Sequence, residues 1–260
     1  MNTELILRHA ATQEEKLLGR RLMDLAEQCD RTGWFVSTSF LSPSEREFCR
    51  LALPHLGCEA IFDGGFEGAE RTCALLYPAY IDAPERYFDD FPIAAIKIEH
   101  SAPLTHRDLL GSVLGLGLKR EAIGDILVGE RESVMLITRA VLPFLLTSFG
   151  KAGRGGVQVS KLALEDIIPP EPKFEIMKDT VASLRIDSVL SVGFRISRET
   201  AQDAIRRGIV QLNHRDILST SKILSEGDVL SLRGRGKAIL AEVGNESRKG
   251  RIWIQVKKYI

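Results

Sequence analysis

A proline-rich break near residue 170 is the feature that most constrains the fold of this 260-residue chain. The stretch reads Ile168-Pro169-Pro170-Glu171-Pro172, and prolines packed this closely neither continue a helix nor lie in a central strand. The charge balance changes at nearly the same place, because residues 184–260 carry 15 Lys and Arg against 8 Asp and Glu, whereas the preceding residues carry 20 against 27. Together the two signals predict an acidic body joined to a basic, polyanion-binding unit. Chance segregation of solvated charge is the alternative.

Composition places the chain among ordinary globular proteins. Hydrophobic residues make up 44% and charged residues 27%, with a formal net charge of zero, which excludes collagen, a disordered tail and a disulfide-stapled miniprotein. No apolar run approaches the ~18 residues that span a bilayer, and residues 1–10 lack the apolar core of a secretion signal. We therefore expect a cytoplasmic protein without membrane contact.

The four cysteines, Cys29, Cys49, Cys58 and Cys73, lie in the first third of the chain. None belongs to a Cys-x-x-Cys pair, and adding His55 produces no common zinc-finger spacing. Reduced, partly buried thiols are expected in a cytosolic protein. The sequence thus predicts neither a metal site nor a cofactor.

Hydrophobic periodicity predicts an α+β fold in four parts. These are an N-terminal α+β module over 1–85, a ferredoxin-like (RRM-like) sandwich over 86–168, a proline-rich linker over 169–183 and a small basic domain over 184–260. The sandwich has the order β-α-β-β-α-β. Its strands are expected at 93–99, 125–128, 134–138 and 157–164, and its helices at 105–116 and 139–149. Pro143 must kink the second helix or shift its start.

The N-terminal module and the basic domain show their own patterns. In the N-terminal module, a hairpin turn is expected at Asp63-Gly64-Gly65. Its other elements are helices at 14–29 and 44–53 and strands at 58–62 and 72–77. In the basic domain, Ser197 caps and Gly208 ends a second helix. Its elements are helices at 184–190 and 198–207 and strands at 209–213, 229–233, 237–243 and 251–257.

Polar side chains of the 198–207 helix are candidates for phosphate contact. Arg198, Gln202 and Arg206 recur at i, i+4 and i+8 and so share one helix face, with Arg195 just before it. The helix N-terminus adds backbone donors and a partial positive charge. We expect Ala201, Ala204 and Ile205 to pack inward, leaving Arg198 exposed. A solvated amphipathic helix is the alternative.

Three further features can contact nucleic acid. Arg207 is partly neutralised by Asp203, four residues earlier. The basic loop Arg233-Gly234-Arg235-Gly236-Lys237 can approach a phosphate closely, unless it is only a solvated hairpin. Trp253 lies on the outward face of an alternating strand, between basic residues, where it either stacks on a base or packs on the linker or the preceding module.

The sandwich lacks the stacking aromatics of RNA-recognition modules, since its central strands read Ile-Ala-Ala-Ile-Lys-Ile and Val-Met-Leu-Ile-Thr. RNA contact there would rely on charge, with Arg107, Lys119 and Arg120 as secondary candidates. No catalytic motif is complete: His106-Arg107-Asp108-Leu109 resembles a kinase loop, but Val113 stands where Asn is required. We therefore expect no catalytic residue.

The basic domain resembles the S-four-type RNA-binding domain, also called the αL motif. The resemblance rests on Leu184-Arg185-Ile186-Asp187, Ile196-Ser197-Arg198-Glu199-Thr200-Ala201, Ile205-Arg206-Arg207-Gly208-Ile209-Val210-Gln211-Leu212-Asn213 and Glu226-Gly227-Asp228-Val229. It implies binding of structured RNA, with Asp187 orienting a nearby arginine. The RNA-binding candidates are Arg185, Arg195, Ser197, Arg198, Gln202, Arg206, Arg207, Asn213, Arg233, Arg235, Lys237 and Trp253.

The body is similar to the YlmH family. The matching stretches are Phe62-Asp63-Gly64-Gly65-Phe66-Glu67-Gly68-Ala69-Glu70-Arg71, Leu104-Thr105-His106-Arg107-Asp108-Leu109-Leu110-Gly111, Gly115-Leu116-Gly117-Leu118-Lys119-Arg120-Glu121 and Gly124-Asp125-Ile126. The resemblance implies a bacterial, non-enzymatic protein that associates with the large ribosomal subunit and tRNA to rescue stalled nascent-chain complexes. Division genes often neighbour its members, and a photosynthetic branch is linked to photosystem II.

We therefore expect a monomeric binder of structured RNA, namely 23S rRNA and tRNA on the large ribosomal subunit. Two alternatives remain. One is an RNA-modifying enzyme or accessory subunit of the pseudouridine synthase or rRNA methyltransferase class, since S-four-type domains accompany such enzymes. The other is an RNA-binding factor associated with cell division or the photosystem.

Overall fold

The computed structural model describes residues 6, 10, 12–82, 91–169, 171, 173–246 and 250–260. The chain divides into two compact units, Met1–Pro170 and Glu171–Ile260. In the described ranges, no helix is both long and apolar enough to cross a membrane. Each unit has mixed helix and strand content, which confirms the α+β prediction.

The first unit begins with two helices and a small antiparallel sheet. Its elements are α1 (Gln13–Thr32), β1 (Val36–Ser37), α2 (Pro43–Ala52), β2 (Cys58–Asp63) and β3 (Cys73–Pro78), with the strand order β1-β3-β2. Both helices begin at a capping box, Thr12 with Glu15 and Ser42 with Glu45, in which each side chain satisfies the other residue's backbone N–H. These caps place both starts within one residue of the predicted position.

A ferredoxin-like sandwich follows in the same unit. Its elements are β4 (Ile93–His100), α3 (His106–Gly115), β5 (Ile123–Leu127), β6 (Glu132–Thr138), α4 (Leu142–Ser148), β7 (Lys151–Ala152) and β8 (Gly155–Leu162). The strand order β5-β6-β4-β8-β7 is antiparallel throughout and confirms the βαββαβ topology. Pro143 lies in the first turn of α4, after a short 3₁₀ turn, so it shifts the start of the helix and does not kink it. The predicted boundary at 85/86 lies outside the described residues.

Both faces of the five-stranded sheet are covered in the half of the sheet nearest β5. On one face α3 and α4 pack over a core that includes Ile96, Leu109 and Met135. On the other face the N-terminal module packs through a second core, which includes Phe40 and Leu136. The sheet surface that an RNA-recognition module uses for stacking is therefore internal here, which explains why its strands are aliphatic.

β2 and β3 pair as the expected antiparallel hairpin, but Asp63-Gly64-Gly65 is not a tight turn between them. Asp63 accepts a hydrogen bond from the backbone N–H of Gly65 at 2.9 Å, and the connection continues to Thr72 before β3 begins at Cys73. The intervening loop is held by the sandwich: Asp125 accepts the backbone N–H of Arg71 at 3.2 Å. The Arg71 guanidinium in turn donates to the carbonyl of Ile123 in β5 at 3.0 Å and to the carbonyl of Phe40 in the N-terminal module at 2.9 Å.

The second unit is a six-stranded antiparallel sheet with two helices on one face. Its elements are β9 (Phe174–Val181), α5 (Ile186–Phe194), α6 (Arg198–Arg206), β10 (Val210–Leu212), β11 (Arg215–Asp216), β12 (Val229–Leu232), β13 (Gly236–Glu246) and β14 (Ile252–Tyr259), in the order β11-β10-β12-β13-β14-β9. The helices and the inner sheet face share one core, which includes Val189, Ile205, Leu240 and Val256.

The predicted linker over 169–183 is wrong for residues 174–181. These residues form β9, which pairs with β14 along its whole length, from Phe174 opposite Tyr259 to Val181 opposite Ile252. The strand is an edge strand that begins just after the prolines, a position where proline does not interrupt the hydrogen-bond ladder. The proline-rich stretch thus precedes the first strand of the second unit.

Candidate nucleic-acid interface

The two short helices of the second unit are fixed by local capping and by burial. Ser197 caps α6, because its Oγ accepts the backbone N–H of Thr200 at 3.0 Å. The inward positions Ala201, Ala204 and Ile205 are buried, which confirms the predicted packing face. Arg195, in the connection between the helices, adopts a left-handed conformation with φ of 49°. Capping and burial therefore fix where α6 begins and which of its faces packs inward.

A buried carboxylate lies between the two helix starts. Asp187, in the first turn of α5, is fully buried. Arg185 donates to it through Nε and Nη2, both at 3.1 Å. Arg198 donates through Nε at 3.1 Å and Nη2 at 3.2 Å, and Gln202 Nε2 donates at 2.7 Å. One carboxylate thus orients two guanidinium groups and one amide.

The electrostatics of this cluster favour an anion at its surface. Burial opposes ionisation of Asp187, but hydrogen bonds from Arg185, Arg198 and Gln202 outweigh burial and hold the pKa of the carboxyl well below its usual range. Two arginines against one aspartate leave a net positive charge. The Arg185 side chain is 31% exposed and the Arg198 side chain 50% exposed. Neither Nη1 group has a partner among the described residues, so both remain available to a phosphate.

The predicted exposure of Arg198 is confirmed, since its side chain is half exposed, but the helical spacing did not predict that Asp187 would hold Arg198 and Gln202. Arg198 and Gln202 turn toward Asp187 and are held by it. Arg206, one turn further along, is exposed and makes no ion pair with another described residue. The face presents one guanidinium held by Asp187 at the helix start and an exposed cation near its end.

Two other predicted arginines are already paired. Arg207 Nη1 lies 3.6 Å from Asp203 Oδ2, as the i, i+4 spacing predicts. Arg195 Nη2 lies 2.7 Å from Glu175 Oε1 of β9. This partner was not expected, because Glu175 falls in the stretch that was predicted to be a linker. Both arginine side chains are more than two-thirds exposed, so solvent screens these pairs.

Asn213 has an internal role that the sequence reading missed. It adopts φ of 48°, its Nδ2 donates to Asp228 Oδ1 at 2.7 Å, and its Oδ1 accepts the backbone N–H of Val229 at 2.8 Å. Its amide thus fastens the loop between β10 and β12. Thr220 was also missed: its carbonyl accepts Arg185 Nη2 at 3.2 Å, and a backbone carbonyl leaves no signal in the sequence.

The basic loop lies on a tight hairpin between β12 and β13. Gly234 and Gly236 adopt φ of 82° and 90°, which glycine tolerates. Arg233 and Arg235 are exposed, whereas Lys237 is half-buried. The backbone N–H of Arg233 donates to the carbonyl of the residue that follows Gly208, so this arginine lies close to the end of α6. Trp253 is 52% exposed on the sheet face opposite the helices.

The secondary candidates in the first unit differ in accessibility. Arg107 and Lys119 are exposed. Arg120 instead donates to the carbonyls of Ile123 and Gly124, and burial, followed by the nearby Arg71, lowers its pKa to about 10. The Arg120 guanidinium is thus engaged by backbone carbonyls of the first unit, and its contact with RNA stays a prediction.

The uncovered half of the sandwich sheet is also unsuited to a polyanion. Lys97 Nζ lies 2.8 Å from Glu99 and 3.6 Å from Glu132, so two carboxylates neutralise one ammonium. Elsewhere in the part of the chain that the structure describes, no cluster of three His, Cys, Asp or Glu side chains is placed to hold a metal ion.

Comparison with known proteins agrees with this geometry. Residues 86–166 match the family described as "Putative RNA-binding domain in YlmH", and residues 184–230 match the S4 domain. The chain is 33% identical over 215 residues, 82% of either sequence, to "Ribosome-associated protein quality control protein P2" of Bacillus subtilis. This chain belongs to the YlmH family. Both resemblances read from the sequence are thereby confirmed.

A solved structure also resembles this YlmH-family chain. It is "Cell division protein ylmH from Streptococcus pneumoniae", with a TM-score of 0.53 and 24% identity, covering 61% of this chain and 97% of that one. At that identity the likeness concerns the fold alone. The S4 match spans Asp187 and all three of its long-side-chain donors.

Proposed function

We propose that this protein binds structured RNA of the large ribosomal subunit, 23S rRNA together with tRNA, and acts in the rescue of stalled nascent-chain complexes. The observation that carries the proposal is the pair of arginines, Arg185 and Arg198, that a buried Asp187 holds at the surface. Guanidinium groups fixed in advance lose little entropy when they bind phosphate.

The relatives support the biological setting. The Bacillus subtilis relative is named as a ribosome-associated quality control protein, and both matched domain families concern RNA binding. We propose that the chain acts as a monomeric cytoplasmic binding factor and performs no chemistry on its RNA. An enzyme of the RNA-modifying class would convert an added RNA, and a binder leaves it intact.

Cosedimentation tests the proposal. Full-length tagged protein is centrifuged through a sucrose gradient with purified large subunits, and the RNA crosslinked to it is sequenced. We expect cosedimentation, crosslinks to 23S rRNA and tRNA, and loss of both in Arg198→Ala but not in Arg207→Ala. Migration at the top of the gradient, or crosslinks dominated by unrelated RNA, would refute the proposal. Conversion of the RNA by the purified protein would replace it with the enzymatic alternative.

A further inference from the structure

The sheet of the second unit has a second, outward face that the helices do not use. Side chains along β9, β13 and β14 alternate between the two faces of the sheet. The helices α5 and α6 pack on the face that carries Ile254 and Val256. The opposite side carries side chains that are apolar and yet accessible. Ile176 is 54% exposed, Trp253 52% and Tyr259 40%. Large side chains clustered on one face of a sheet are typical of a binding surface.

Aromatic rings lie at both ends of this outward face. Trp253 lies near the start of β14, and Tyr259 ends it, so the two are about 20 Å apart along the strand. Phe174, opposite Tyr259 on β9, meets it edge to face with ring centroids 4.8 Å apart. Rings at this spacing offer stacking surfaces at separate points along an extended ligand.

The charge on this face is positive. Register places Lys178, Lys237 and Lys257 on the outward side, and Glu242 is the acidic residue there among the described positions of the three strands. The ammonium of Lys257 lies 5.8 Å from the ring centroid of Phe174, between the two aromatic ends. Lysines on such a face can contact the phosphates of a single strand, while the aromatic rings stack on its unpaired bases.

The indole of Trp253 also borders a shallow depression. The depression measures about 130 Å³ and is lined by Lys178, Glu242, Gly244 and Gln255. A Cβ on Gly244 would lie 3.2 Å from the Cβ of Trp253, which is closer than ordinary packing. Glycine at this position therefore leaves the flank of the indole uncrowded.

We propose that the outward face of β9, β13 and β14 binds single-stranded RNA adjoining the structured element that the Asp187 cluster holds. This inference rests on the proposed RNA-binding function and adds a second contact on the same unit. The flat array of rings and lysines matches unpaired nucleotides, because every base offers a π-face without sequence preference.

The test uses full-length protein and two RNA probes. One is a short hairpin, and the other is the same hairpin with a uridine tail of about ten nucleotides, within the site size of single-strand binders. We expect the tail to tighten binding and Trp253→Ala to weaken binding of the tailed probe about tenfold, as for one stacked base. Lys178→Ala with Lys257→Ala removes two charges and keeps every ring, and should make the salt slope shallower by about 1.4.

Trp34→Ala is the matched control, since Trp34 is 54% exposed and lies in the first unit. It should leave both affinities unchanged. A hairpin that binds with no benefit from the tail, or a benefit that survives both the Trp253 and the double-lysine variants, overturns this inference and leaves the proposed function standing. Failure to bind either probe overturns both. Loss of ribosome binding in Trp253→Ala without any change in tail affinity would assign the face to a protein and overturn the inference.

Discussion

Asp187 and Arg198 are joined by two hydrogen bonds, Nε to Oδ2 at 3.1 Å and Nη2 to Oδ1 at 3.2 Å, that tie the first turn of α5 to the first turn of α6. The carboxylate is fully buried and the guanidinium half exposed. Arg198 therefore has two roles: it satisfies a buried charge, and it presents its remaining donors to solvent. Stability and RNA binding must therefore both be measured for any variant at this position.

Arg198→Ala should affect both properties. Asp187 would keep Arg185 and Gln202 but lose two charged hydrogen bonds, so the free energy of unfolding of the second unit should fall by about 1–2 kcal/mol. Binding to the hairpin RNA should weaken by about 1.5–3 kcal/mol, as for a lost charged hydrogen bond to phosphate. Denaturant unfolding and filter binding, the latter well below the melting temperature, measure the two losses separately.

Arg198→Lys separates the charge from the fork of donors. Lysine keeps the cation but cannot donate two parallel hydrogen bonds to Asp187. We expect it to restore part of the binding and little of the stability. Wild-type stability in Arg198→Ala would show that the hydrogen bonds between Arg198 and Asp187 contribute nothing to the free energy of unfolding.

Asp187→Asn should change the acid dependence of stability. The folded carboxyl has a pKa below its unfolded value of about 3.9, so its stabilisation is complete above that value and is lost as the pH falls below about 4. The variant should lose about 2–3 kcal/mol at pH 7. Its stability should also decline less steeply in acid than that of wild type, as urea unfolding from pH 3 to pH 7 can measure. If the free energy of unfolding fell equally steeply with pH in the variant and in wild type, another carboxyl would control the loss of stability in acid.

The sequence predicted most of the local structure, because capping and periodicity are local signals. Ser197 and the buried face of α6 followed from spacing within one helix. The side-chain directions of Arg198 and Gln202 did not, since both depend on Asp187, more than ten residues earlier. The internal hydrogen bonds of Asn213 were missed for the same reason, as its amide accepts from a strand that begins at Val229.

The missed strand has a different cause. The prolines marked a true break, but they mark the entrance to an edge strand and not the length of a linker. Val181 of β9 packs into the core of the second unit, and the strand pairs with β14, which lies more than seventy residues later. Neither hydrophobic alternation nor turn residues report such a distant partner.

Arg206 and Arg207 offer a paired test of charge at the end of α6. Arg206 is exposed without an ion pair among the described residues, whereas Arg207 lies 3.6 Å from Asp203. Arg206→Ala should weaken binding to the hairpin by about 1 kcal/mol or more, and Arg207→Ala by less, with melting temperatures unchanged in both. The reverse order would place the RNA on the Asp203 side of the helix.

Salt dependence should show that phosphate contacts dominate binding. If the arginines of the second unit contact about five phosphates, log K should fall with log salt at a slope of about −3.5 to −4.5. Arg206→Ala should make the slope shallower by the contribution of about one phosphate contact. Arg107→Ala, in the first unit, should leave the slope unchanged. A flat dependence would contradict the interface described above.

The last prediction concerns the packing of the first unit. A Cβ on Gly124 would lie 2.6 Å from Phe40 Cε1 and 2.8 Å from Leu136 Cβ, inside the core where the N-terminal module covers the sandwich sheet. Gly124→Ala should therefore lower the free energy of unfolding of the first unit by about 1–3 kcal/mol. Gly111→Ala is its control, because Gly111 lies in α3 with open space around it, and alanine there should stabilise by about 0.5–1 kcal/mol.

The same pair of variants tests which unit leads RNA binding. Both changes lie outside the second unit, so hairpin affinity should be unchanged in each while the melting transition of the first unit moves in opposite directions. Circular dichroism melting and filter binding on the same samples provide the comparison. If Gly124→Ala weakened hairpin binding while the second unit remained folded, the sandwich would take part in RNA recognition, and Arg107 and Lys119 would be the first residues to replace.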